Sequence, residues 1–333
     1  MTITQALRRG QSTRTLVRFA AIAGLMAVPT LAMAAEPPPA PTVTGNHPLA
    51  GRIWEAKTKR MLSPDELVGR VLTGGIVILG ETHDNPDHHA LQAWMVRRIA
   101  DAGRRPLTAL EMVDADQQAA IDANLGDVAG LGAALNWEKR GWPDWALYRP
   151  IVDAAVSAGG GLVGANLPVE TTRQIAKGRE TTETDARFGL DAPLSPQAAK
   201  AMAEEIRDGH CNMLPETAVP AMVRVQRARD AAMAEVVAEH ATRPEIGPVI
   251  LIAGSGHARL DRGVPARLRA LVPGIPTFTL AFLELEPEDR APAILARFNG
   301  ATPPFDAVWF TAKAPREDQC AQLEKHLKKK KAD

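Results

Sequence analysis

The chain has no surplus of charge. Its 39 lysines and arginines meet 39 aspartates and glutamates, so the balance gives no reason to expect nucleic acid as a partner. The exception, Lys328 to Lys331, reads as a solvated tail within residues 321–333. Long apolar runs are missing too. Residues 19–28 are too short to span a bilayer, and no other segment can cross one. With Arg8, Arg9, Arg14 and Arg18 before that run and Ala32-Met33-Ala34 after it, residues 1–34 read as a signal peptide cleaved near Ala34. No cysteine follows the cleavage signal, which excludes a lipid anchor. The expected mature chain is a periplasmic or secreted protein with no transmembrane segment. Cysteine is scarce: Cys211 and Cys320 are the only two, and an exported chain with an even number favours a disulfide between them. Aromatics are few, and Tyr148 is the only tyrosine.

What is present is an alternation of strands and helices. Residues 35–50, rich in proline, read as a disordered leader. Residues 51–59 suggest an edge strand or hairpin, and Ser63-Pro64-Asp65-Glu66 opens a helix. Strands are expected over 75–79, 107–111, 161–165, 249–253, 277–283 and 307–311, with helices over 87–103, 114–124 and 145–158. This order implies an α/β fold, a largely parallel sheet flanked by helices. Residues 171–240 lack a strand-like run and carry helical patterns over 195–209 and 219–240. They read as a small helical subdomain inserted into an α/β domain spanning 51–320, lying over the strand ends.

Four strands end in polar residues. Gly80-Glu81-Thr82-His83-Asp84-Asn85 follows the first, and chemistry in open α/β sheets collects beyond such ends. The competing reading is a polar cap, with Asp84 or Asn85 closing the next helix. Glu111 interrupts an apolar strand, where an ionised carboxylate is costly unless it meets a cation, a metal or donors. His83 and His257, at the tips of neighbouring strands, can meet it. Glu81, His83, Glu111 and His257 are therefore either the ligands of a divalent metal ion, an acid/base set, or a buried hydrogen-bonded network that fixes the loops. The third strand ends at Asn166. Gly254-Ser255-Gly256 is too short for a nucleophile elbow, and its glycines let the backbone approach a ligand closely.

Tyr148 and Arg149 sit behind Trp137 and Trp142. A phenolate can ligate haem iron and an arginine can pair a propionate, but residue chemistry alone favours a tyrosine and tryptophans that pack a helix on the sheet. His88 and His89 open a helix and read as surface or capping residues. His210 can face the site, although a disulfide at Cys211 removes its sulfur as a ligand. Gln226, Arg229, Asp230 and Met233 share one face of the long helix, which either closes over the polar strand tips or only contacts the sheet's loops.

Taken together, Gly80-Glu81-Thr82-His83-Asp84, Leu110-Glu111-Met112, Tyr148-Arg149, Asn166-Leu167-Pro168, His210-Cys211, Gln226 with Arg229-Asp230, Gly254-Ser255-Gly256-His257-Ala258-Arg259 and Val308-Trp309-Phe310-Thr311 resemble the ChaN family of exported haem-binding proteins. Its superfamily includes the Tiki proteases and erythromycin esterases. The resemblance implies a haem cofactor, a role in iron acquisition or haem handling, an axial tyrosine at Tyr148 and a homodimer. Arg149, Asn166, His210 and Arg229 are the further candidates for holding the haem. The alternative is a metal-dependent hydrolase built on Glu81, His83, Glu111 and His257.

Overall fold

The computed structural model describes residues 35–290, 302–318, 320, 321 and 323–325. The expected signal peptide and the run Lys328 to Lys331 lie outside them.

Apolar, β-branched runs build the sheet. Its strands are β1 (Ile53–Glu55), β2 (Arg60–Leu62), β3 (Ile76–Glu81), β4 (Leu107–Asp114), β5 (Leu162–Asn166), β6 (Val249–Gly254), β7 (Thr277–Leu285) and β8 (Ala307–Ala312), in the order β2-β1-β8-β7-β3-β6-β4-β5. The hairpin β1–β2 and its pairing with β8 are antiparallel; every other pairing is parallel. This is the α/β architecture that the alternation implies. The chain enters β6 between β3 and β4 only after β5 is complete. Crossing then to the far side of β3 makes the C-terminal ends of β3, β6 and β4 a switch point, the place where ligands bind in open α/β sheets.

Residues on alternate sides of each strand make two cores. Val77 and Leu79 of β3 face α2 (Pro86–Asp101), where Trp94, Met95 and Ile99 are buried. Ile151 and Val152 of α5 (Trp145–Ser157) join the same cluster. Ile76 and Ile78 face the opposite layer, made by α9 (Val219–Ala241) and α10 (Val264–Leu271). The expected start of α1 (Pro64–Val71) is a full capping box between Ser63 and Glu66. The short helices α3 (Gln118–Asn124) and α4 (Val128–Ala134) connect β4 to α5.

Between β5 and β6 the chain is helical: α6 (Val169–Ala176), α7 (Thr182–Phe188), α8 (Pro196–Gly209) and α9. The helix α9 serves two cores. Val225, Ala228, Ala231 and Ala232 pack with Ile175, Phe188 and Leu190, whereas Met233, Ala234, Val237 and Ala238 pack on the sheet. The insertion is thus rooted in the main fold by one continuous helix.

The leader differs from the disordered segment expected. Glu36 accepts Trp94 Nε1–H and Arg98 on its backbone oxygen, and its carboxylate takes Arg97. Asp87, buried at the start of α2, accepts the Thr42 amide at 2.7 Å and the Val43 amide at 3.2 Å. The physical reason is that Asp87 needs donors, and an extended strand of chain supplies its backbone N–H groups.

Cys211 is bonded to Cys320, 109 residues further on. Closing a loop of that size stabilises by about 4 kcal/mol in the chain-entropy account. Replacing both cysteines by serine should lower the unfolding free energy by roughly 2–4 kcal/mol in a guanidinium titration. An unchanged midpoint would show that the bond constrains nothing of consequence.

Candidate functional site

The strand ends carry two buried charge networks that meet across β6. The first surrounds Glu81, the last residue of β3, whose residue surface is 2% exposed. Its Oε1 accepts the Tyr148 hydroxyl at 2.6 Å and lies 2.7 Å from His83 Nδ1. Its Oε2 accepts Gln92 Nε2 at 2.7 Å and faces His89 Nδ1 at 3.3 Å. Burial opposes ionisation of Glu81, but His89 and His83 outweigh it and hold the carboxyl well below its usual range. His89 is raised in turn: burial works against its charge, and Glu81 overcomes that. Its other nitrogen donates to the His83 carbonyl at 2.9 Å.

The second network surrounds Glu111. The register of β4 against β5 shifts between Leu110 and Asp114, in the stretch that holds Glu111. Glu111 Oε1 takes Arg229 at 2.5 Å, and Oε2 takes the Gly254 amide at 2.6 Å. His257 Nε2 lies 3.3 Å from Oε1. On the far side of the ring, His257 Nδ1 is 2.6 Å from Asp230 Oδ1, and the Gln226 amide is within 3.3 Å. Burial alone would lower His257, yet Glu111 and Asp230 push it up to about 9. Arg229 also donates to Asn166 Oδ1 at 3.1 Å.

Two glycines let these networks meet. A Cβ at Gly80 would stand 2.8 Å from Ala258 Cβ and 3.0 Å from Ser255 Cα, so β3 could not lie against the turn after β6. A Cβ at Gly254 would stand 2.9 Å from His83 Nε2 and 3.6 Å from Glu111 Oε2. The imidazole of His83 therefore rests over bare backbone between the two networks, its edge against Trp142 at 5.0 Å.

The expected set of Glu81, His83, Glu111 and His257 is thus brought together, with Asn166 and Arg229 at its margin. Among the described residues no three His, Cys, Asp or Glu side chains are arranged to hold a metal ion. Tyr148, Gln92, Arg229 and the Gly254 amide already occupy the carboxylate oxygens a metal would need. Tyr148 also differs from expectation. Its surface is fully covered, and its hydroxyl is spent on Glu81, with His89 and Trp137 against its ring at 4.3 and 4.9 Å. Burial and the neighbouring Glu81 push its phenol far up. Arg149 is exposed and pairs with Asp153 on α5. His210 lines a cavity of about 180 Å³ under α8, together with Gln226, Asp230 and Gly256.

Sequence reasoning made His88 and His89 surface or capping residues; both are buried. His88 is pushed down to about 4 by burial, accepts the Thr82 amide on Nδ1 and reaches Thr311 through Nε2. His89 and Gln92 stand three residues apart on α2, and that helical spacing is the signal that could have exposed them. Of the alternatives for the long helix, the face bearing Gln226, Arg229 and Asp230 does close over the strand tips.

A family model described as haem-binding uptake, Tiki superfamily, ChaN matches residues 67–268. No curated protein sequence matches the chain. Among solved structures it is similar to ChaN of Campylobacter jejuni, which shows cofacial heme binding. That pair is 21% identical over 77% of this chain and 95% of the other, with a TM-score of 0.61. The erythromycin esterase EreC, as a point mutant in its open conformation, is 14% identical over 80% of this chain and 99% of its own, with a TM-score of 0.45. The type III effector HopBA1 is 16% identical over 75% and 93%, with a TM-score of 0.42.

The charge on His257 makes stability depend on pH. Its native value lies above the ordinary ~6.5, so its contribution is complete below about pH 6.5 and is lost as pH climbs through about 9. Asp230→Asn should bring the titration of the His257 ring, followed by NMR, to lower pH and move that alkaline loss of stability with it. An unmoved titration would remove Asp230 as a cause.

Proposed function

The chain belongs to the ChaN family of haem-binding uptake proteins in the Tiki superfamily, and on that premise we propose that it is an exported protein that binds haem for iron acquisition or haem handling. The observation that carries this reading is the span of the family match. Residues 67–268 contain both networks, the glycines between them and the helix α9 that closes over them. Export is supported by Arg8 to Arg18, residues 19–28 and Ala32-Met33-Ala34. The bond between Cys211 and Cys320 suits an oxidising compartment. Among the described residues no helix is long and apolar enough to cross a membrane. A homodimer is part of the proposal, because haems that lie face to face in the Campylobacter relative are held most simply between two copies.

The residues at the cleft fit haem in part. Trp142 offers an aromatic edge and His83 a partly exposed imidazole, whereas Arg229 is engaged by Glu111 and Asn166. Tyr148, sealed behind Glu81, does not fit as the axial ligand.

One observation favours a second reading, acid/base hydrolysis. His83 and His257 each have a carboxylate on Nδ1; the ring of His83 lies against Gly254, and the His257 amide donates to the Gly254 carbonyl. This is the form in which a histidine is held ready for proton transfer. It needs no metal, unlike the hydrolase anticipated from the sequence.

Titrating the chain from Ala35 with ferric haem and following absorbance tests the main reading. Saturable binding supports it; a linear rise with no saturation overturns it. Under the second reading, Glu111→Gln should reduce esterase or peptidase turnover by about a hundredfold or more, and chelators should leave it unchanged.

A further inference from the structure

We propose that the cavity under α8 is a binding site for a primary alkylammonium group, held by His210, Asp230 and Glu205. The site stands apart from the haem and hydrolytic readings and uses neither His83 nor Tyr148.

The cavity encloses about 180 Å³, whereas a single water needs on the order of 10–15 Å³ of such space. One wall is α8, with Met202 and Ile206; the other is α9, with Gln226 and Asp230.

Its polar lining is short of donors. His210 Nδ1 faces the Ile206 carbonyl at 2.7 Å. A carbonyl only accepts, so that nitrogen carries the proton, and a neutral ring keeps its lone pair on Nε2. Asp230 is 2% exposed, and His257 takes its Oδ1. Its Oδ2 has no hydrogen bond among the described residues. Burial holds this carboxyl above its ordinary range although His257 and Arg229 pull the other way, the direction expected of a carboxylate with too few cationic partners. Glu205 gives Oε2 to Arg262 and brings Oε1 over Gly256, 2.6 Å from where a Cβ would stand. The neighbouring donors are already spent: Arg262 on Glu205 and Asp261, and the Gln226 amide on the His257 ring.

Three acceptors around one space call for a ligand with three donors. A primary ammonium has three N–H groups and a positive charge. It meets the buried carboxylate with a charge-assisted bond, which a neutral donor cannot match. A metal ion does not fit, because no three His, Cys, Asp or Glu side chains among the described residues are arranged to hold one. Met202 and Ile206 offer apolar surface to a short methylene stem behind the nitrogen. A free aliphatic amine and the side chain of a lysine share this chemistry.

The test is a calorimetric titration of the disulfide-bonded chain from Ala35 with n-butylammonium chloride near neutral pH. Saturable binding is expected. Tetramethylammonium, which has the charge but no N–H, and butan-1-ol, which has no charge, should not bind. His210→Leu should weaken n-butylammonium binding about tenfold, the worth of one charge-assisted hydrogen bond. The Glu205 side chain is 46% exposed, so Glu205→Gln, which keeps an oxygen for Arg262, preserves the fold and should weaken binding about threefold. In nitrogen NMR, n-butylammonium should move the His210 Nε2 resonance and leave those of His83 in place. Nα-acetyl-lysine amide separates the two sources: binding as tight as that of n-butylammonium identifies a lysine side chain, and binding of n-butylammonium alone identifies free amines. Absence of saturable binding in the wild type, equal binding of tetramethylammonium, or wild-type affinity in either variant overturns the proposal. None of these readouts depends on haem.

Discussion

Two ionised carboxylates buried at the ends of parallel strands set the terms for everything around them. Burying an ionised group without partners costs several kcal/mol, so Glu81 and Glu111 can exist there only because each oxygen is met. The partners come from far along the chain: Gln92 and His89 from α2, Tyr148 from α5, Arg229 from α9, and an amide from the end of β6. Each helix is fixed to the sheet by its apolar face, and its polar partner is thereby fixed at the strand end. Packing and charge compensation are in this sense one constraint, since loosening α5 or α9 would strand a buried negative charge.

The topology explains why the two networks meet. β6 enters between β3 and β4 late in the sequence, and Glu81 falls in register with Gly254. A side chain at that position would separate His83 from Glu111; glycine brings them across one strand. Glu111 keeps the alternation of β4, on the side opposite Leu110 and Met112, and so meets Arg229 of α9. The helix α9 combines both tasks. Its final turns build the sheet's core, and the turns before them deliver Gln226, Arg229 and Asp230 above the strand tips.

Much of this is legible from sequence because the signals are local. An apolar run ending in Glu and His marks a strand and its exit, and Glu111 stands out because its neighbours are apolar. Gln226, Arg229 and Asp230 announce a common face through their i, i+3, i+4 spacing. The rest depends on tertiary context. Polar residues in the first turns of a helix look solvated, so His88 and His89 appear external until β3 is known to run beneath them. Tyr148 invites ligation as a lone phenol among tryptophans. Only the placement of Glu81 against it shows that the hydroxyl is already committed. The leader reads as disordered from its prolines, because the buried Asp87 that organises its amides lies some 45 residues later. The metal expected of four ligand-type residues depends on free lone pairs, and no sequence pattern reports which donors have taken them.

A histidine can act as a general base only while a lone pair on its ring is free. Glu81, 2.7 Å from Nδ1 of His83, orients that ring towards Gly254. His257 cannot take over the role. Its ring is clamped between Glu111 and Asp230 and stays protonated near neutral pH, so it can donate but has no lone pair to offer. The two imidazoles are thus set apart by their partners: His257 is held on both nitrogens, whereas His83 is held by Glu81 through Nδ1 alone.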